Sequence, residues 1–235
     1  LGSSSFFMAA IISALSDAIT YLNSLYEQDD TDPTAGDETY VLWTSLFNVA
    51  INIWESEEGM LWRELYATLA NAADGDTTIA ASTWDYDCPT DFRFVVGKVR
   101  LVSPSGVSSY YEVIPVTDVS LYDDNSSKWC YFTGNVSAGF DIHFNPDLSL
   151  TTGDTIAYEY YKNATALSAA TDKFEMADPM FAIFYALSEL RKDEGDTTSS
   201  VIATQKLEAM RTKNMMPSFY EDTSLRNREE DGFGV

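Results

Sequence analysis

Apolar residues recur along this chain in two rhythms. Phe7, Ile11, Leu15, Ala18, Ile19 and Leu22 fall at helical spacing and predict a helix over about 6–25. The acidic segment 27–37, with Pro33 and Gly36, reads as a loop. Asp37 or Thr39 can cap a second helix, in which Tyr40, Trp43, Phe47, Ala50, Ile51 and Trp54 form one face and which ends near Glu58 or Gly59. Residues 60–73, with Leu61, Trp62, Leu65 and Leu69, read as a third helical piece, and Asp74-Gly75-Asp76 as a turn.

The rhythm changes at Thr77. From there to Tyr161 the chain is rich in Val, Ile, Thr, Tyr and Phe, broken by turn clusters at 103–106, 123–125, 145–147 and 152–154. Segments 92–102, 109–113, 128–132, 140–144 and 155–161 read as strands, which suggests a small antiparallel β-barrel or sandwich. Helix returns at Asp178-Pro179, with Asp as cap and Pro at the first helical position. Residues 180–190 are apolar nearly all round, so a buried helix is expected, with Lys192 and Gly195 at its end. A last helix over about 199–214 would turn Val201, Leu207 and Met210 inward, and Pro217 stops it. The expected class is α+β: a helical bundle formed by the N- and C-terminal helices, with an inserted antiparallel β-barrel or sandwich domain. The expected divisions are 1–75 helical, 76–162 β, 163–216 helical and 217–235 an extended polar tail.

Charge changes this picture more than composition does. With 45% hydrophobic and 14% aromatic residues the chain can bury a core. Its formal net charge is -23, and no Lys or Arg precedes Arg63. Such a surface repels nucleic acid and cannot release counterions from a duplex, so direct DNA binding is not expected, whereas DNA sliding past without sticking is compatible. Solubility or a high-salt habitat explains the charge equally well. The start of the chain has the length of a signal-peptide core but no positive flank, and no run approaches the ~18 apolar residues of a membrane span, so a soluble protein is expected. Cys88 and Cys130 set no disulfide framework in a chain this long and read as two reduced, partly buried thiols.

Candidate chemistry is sparse. His143 is the sole histidine, and no local motif supplies it with a nucleophile or an orienting partner, so it reads as a structural or surface residue. There is no zinc-type ligand cluster, and the acidic stretch Asp29 to Glu38 does not match the twelve-residue calcium pattern. Phosphate-loop, dinucleotide and nucleophile-elbow motifs are absent. With 37 acids, a carboxylate pair suited to glycoside hydrolysis is available by chance alone. Three glycosylation tripeptides begin at Asn125, Asn135 and Asn163 and carry weight only in a secreted eukaryotic protein. Helical spacing makes Trp43 and Trp54 core residues, while Trp84 and Trp129 could belong to an exposed aromatic platform. Neither catalytic, cofactor nor metal residues are expected.

The segment Glu38-Thr-Tyr-Val-Leu-Trp-Thr-Ser-Leu-Phe-Asn-Val-Ala-Ile-Asn-Ile-Trp54 resembles the second helix of phage head-to-tail adaptor proteins. Tyr86-Asp-Cys-Pro-Thr-Asp-Phe92 is similar to that family's entry into its β-domain. Gly153-Asp-Thr-Ile-Ala-Tyr-Glu-Tyr-Tyr161, followed by Leu167 and Thr171-Asp172, and Asp178-Pro179 opening an apolar helix are further points of likeness, in the same order. The departures are Cys88, where an aliphatic residue is usual, and the missing early basic residues. The group is that of short-tailed phages, related to tail-tubular gatekeeper proteins. The resemblance implies a non-enzymatic virion neck protein, assembled in the host cytoplasm as a homo-oligomeric ring, usually twelvefold, below the portal protein. Tail nozzle or fibre proteins would attach to it, and genomic DNA would pass through without specific binding; no membrane and no cofactor are implied. In the tail, Phe219, Tyr220, Leu225, Arg226 and Arg228 become candidate contacts to the portal or a neighbouring copy. The competing expectations are a β-domain that binds a receptor or carbohydrate, or a capsid decoration protein.

Overall fold

The computed structural model describes residues 12–27, 31–69, 77–122, 127–195 and 197–215. The chain divides into two compact units, one comprising 1–64 and 166–235, the other 65–165.

In the first unit, α1 spans Leu15–Leu25, α2 Glu38–Glu55, α3 Met180–Leu190 and α4 Thr198–Met215. Among the described residues α1 begins only at Leu15; Phe7 and Ile11 lie outside them. The Asp17 carboxylate accepts the backbone N–H groups of Ser13 and Ala14 at 3.2 and 3.1 Å, and Ala14 bridges to Lys173, so the chain just before Leu15 is committed to a strand-like pairing. At the other end of α1 the Arg191 guanidinium donates to the Leu25 carbonyl at 2.6 Å. The whole expected face of α2, from Tyr40 to Trp54, is buried. α3 starts where expected, with Asp178 accepting the Met180 N–H at 3.1 Å.

Of the expected third helical piece, 60–73, the described residues 60–69 hold a 3-10 turn at Arg63–Leu65 and a short strand at Tyr66–Thr68 instead of an α-helix; 70–73 lie outside the described residues. Gly59 takes φ +75°, and the Trp62 indole folds back to donate to the Trp54 carbonyl at 2.6 Å, the two rings lying 5.3 Å apart. Trp62 thus adds a side-chain donor to the Trp54 carbonyl, which the Glu57 N–H also meets at 3.3 Å past the end of α2. Trp62, Leu65 and Leu69 are each buried, while Leu61 just before them is exposed.

The second unit holds one seven-stranded sheet in the order β1-β7-β3-β4-β5-β6-β2. Its strands are β1 Tyr66–Thr68, β2 Asp85–Asp87, β3 Phe92–Val102, β4 Ser108–Val113, β5 Trp129–Asn135, β6 Gly139–Phe144 and β7 Thr155–Lys162. Pairing is antiparallel except between β4 and β5, which run parallel. Between Val96 and Arg100, β3 advances four residues while β7 advances two; Gly97, at φ +73°, absorbs the excess. That bulge bends the sheet over a core centred on Phe92, whose ring stacks on Phe132 at 5.2 Å and Tyr160 at 5.6 Å. Gly134 is obligatory: a Cβ there would fall 2.2 Å from the Gly139 carbonyl oxygen across the β5–β6 hairpin.

The expected architecture is therefore corrected. The chain is α+β, but its β-part is a single curled half-barrel, neither a closed antiparallel barrel nor a sandwich, and its helices do not frame it as an N- and C-terminal bundle. Closure fails because both edge strands are three residues long and β4 meets β5 over only two residue pairs. A bundle fails because α1 scarcely touches α2, while α2 and α4 pack on α3 instead. α4 contributes only Ser199, Ala203 and Met210 to the interior; Val201, expected inward, is 53% exposed.

Candidate functional site

The tail candidates Phe219, Tyr220, Leu225, Arg226 and Arg228 lie outside the described residues. Within them, the feature of the helical unit that asks for a partner is the second face of α2. Leu42, Leu46, Val49 and Ile53 follow the i, i+4, i+7, i+11 spacing that lines up one narrow stripe, roughly a quarter-turn or more from the buried face. Leu42 and Val49 are exposed, and Leu46 and Ile53 are half-buried. Val41 is exposed beside them. A helix with one fully buried aromatic face has no need of a second aliphatic one to fold, and acid residues flank this one at Glu38 and Glu55. The stripe was readable in the sequence, but the aromatic spacing of the core face masked it.

The outward face of the half-barrel brings His143 partners that no local motif announced. His143 on β6 stands opposite Tyr131 on β5 and Asp85 on β2. Its Nδ1 lies 2.6 Å from Asp85 Oδ1 and its Nε2 2.6 Å from Thr133 Oγ1, while the Tyr131 ring stacks on the imidazole at 4.7 Å. A neutral imidazole protonated at Nδ1 satisfies both contacts, donating to the carboxylate and accepting from the hydroxyl. Hydroxyl, imidazole and carboxylate are connected as in an acyl-transfer relay. The setting differs: the groups sit on a pleated outer face, with the Asp85 side chain 72% exposed rather than enclosed in a cleft. The arrangement acts as a tie across three strands, fastening the short β2 to the sheet. Its members lie 10 and 58 residues from His143, beyond the reach of spacing arguments.

An aromatic platform built on Trp84 and Trp129 does not exist. Trp129 is buried, and half-buried Trp84 donates its indole N–H to the Leu148 carbonyl at 3.0 Å. Cys88 and Cys130 are free, buried thiols, both pushed up to about 12 chiefly by burial, which makes them poor nucleophiles. In the acidic loop Asp32 accepts from Thr20 and Asn23, and Asp37 from the backbone N–H of Thr34 at 2.6 Å, an interaction that holds its carboxyl below the usual range. These two carboxylates are thus occupied in ordering the approach to α2. No protein-family model matches the chain, and no curated protein does so either.

Proposed function

We propose that this chain is a structural virion protein, a head-to-tail adaptor that forms a ring below the portal around the DNA channel and carries tail components. The observation that supports it best is the aliphatic stripe Leu42-Leu46-Val49-Ile53 on α2, a surface fitted to burial in an assembly. In a closed ring each copy presents two different faces, and the stripe supplies one of them, meeting the adjoining copy. The resemblance of residues 38–54 to an adaptor helix falls on the same element. A net charge of -23 per copy, repeated around the ring, gives a channel wall that repels the phosphate backbone and lets DNA slide. Tail nozzle or fibre proteins attach to the ring from outside.

Native mass spectrometry of the protein mixed with its phage's intact portal ring tests this. Saturating addition of one copy per portal subunit is expected. Absence of any complex with an intact portal rejects the adaptor role.

A further inference from the structure

At one end of the β-unit's core the packing leaves a cavity of about 210 Å³. Its walls mix three kinds of group. Leu101, Leu148 and Leu150 are aliphatic. Lys128 donates from Nζ to Ser109 Oγ at 3.0 Å. Asp154 is only 9% exposed, and its Oδ1 is buried with no hydrogen-bond partner. The backbone of Asp154 is fixed on both sides, its N–H donating to Thr151 O at 3.1 Å and its carbonyl accepting from Ile79 N–H at 2.8 Å. The carboxylate is thus held beside the cavity, short of a donor. Burial, then the Asp154 charge, raise the neighbouring Tyr111 phenol above its ordinary range, so it remains a neutral hydroxyl.

These groups select a ligand class. A cation would meet Lys128 and an anion would meet Asp154. A neutral ligand with several hydroxyls suits both, donating to the carboxylate and accepting from the ammonium. Thr151 offers a hydroxyl that can do either, and the leucines offer a surface for C–H groups. The volume equals that of about seven waters at ~30 Å³ each, well under the ~300 Å³ of a drug-sized site. We propose that this cavity binds one neutral sugar residue, the terminal residue of a glycan. The site belongs to the β-unit alone and does not depend on ring assembly, so it can hold when the portal experiment fails, and the reverse.

The test is a titration of the isotopically labelled full chain with glucose, galactose, mannose and N-acetylglucosamine, followed by amide NMR. Saturable shifts at Lys128, Thr151 and Asp154 are expected with at least one of them. Asp154→Asn, which keeps the shape, and Lys128→Ala, at the cavity mouth, should each weaken binding roughly tenfold, the loss expected for one charge-assisted hydrogen bond. If Asp154→Asn does not fold, Lys128→Ala decides alone. No saturable shift with any of the four sugars overturns the proposal. So does binding unchanged by both variants, or saturation by glycine with none by sugars.

Discussion

α2 and α4 are both 18 residues long, yet they are held in opposite ways. α2 buries three large aromatic rings and Tyr40 on one side. α4 buries a serine, an alanine and a methionine, and is fastened by polar groups instead. Lys206 pairs with Asp178 at 3.0 Å, and Arg211 reaches out of the helix to Glu57 at 3.3 Å, while its pair with Glu208 at 2.8 Å lies within α4 itself. Asn214 donates to the Leu61 carbonyl at 2.8 Å and accepts the Arg63 N–H at 3.2 Å. Apolar burial gives a helix a place that salt does not disturb, whereas charged staples give one that salt and single substitutions can loosen.

The largest effect should come from breaking the apolar side of this contrast. Phe47→Ala removes a fully buried ring and should cost about 3–5 kcal/mol in urea unfolding; a loss under about 1 kcal/mol would show that α2 is not anchored this way. Next is Asn214→Ala, which leaves two backbone groups without their partner and should cost about 1 kcal/mol, with faster amide exchange in α4 than in α2. Equal exchange in the two helices would erase the distinction. Arg211→Ala should cost at most about 1 kcal/mol, less at high salt, because its side chain is about a third exposed. A salt-independent loss would assign Arg211 a packing role. The smallest effect on stability, within about 0.5 kcal/mol, is expected for Leu42→Ser and Val49→Ser. The same pair should abolish assembly on the portal ring, and assembly that survives them would remove the second face of α2 from the interface.

The same contrast explains what could be read from the chain. The core of α2 was legible because Trp43, Phe47, Ala50, Ile51 and Trp54 repeat at 3.6-residue spacing with no competing signal. α4 is fixed by partners far away in sequence, so periodicity alone turned Val201 inward when it faces out. The five longer strands were visible in their β-branched and aromatic composition. β1 and β2 were not: Asp85-Tyr86-Asp87 has one residue of strand type and takes its form from pairing with β6. Open or closed, parallel or antiparallel are properties of such pairings, and the expected barrel or sandwich and its bundle frame failed at that level. The His143 tie and the Asp154 cavity were hidden for the same reason, since each joins residues that only the folded sheet makes neighbours.

The short edges of that sheet carry a consequence for what happens when copies of this chain meet. Any exposed strand is a template onto which another chain can add. Here β1 and β2 each offer only three residues. Asp85 and Asp87 add a negative charge on either side of the one buried residue of β2, so an identical incoming edge meets like charge. A polymer grown by edge-to-edge strand addition is thereby denied a starting strand.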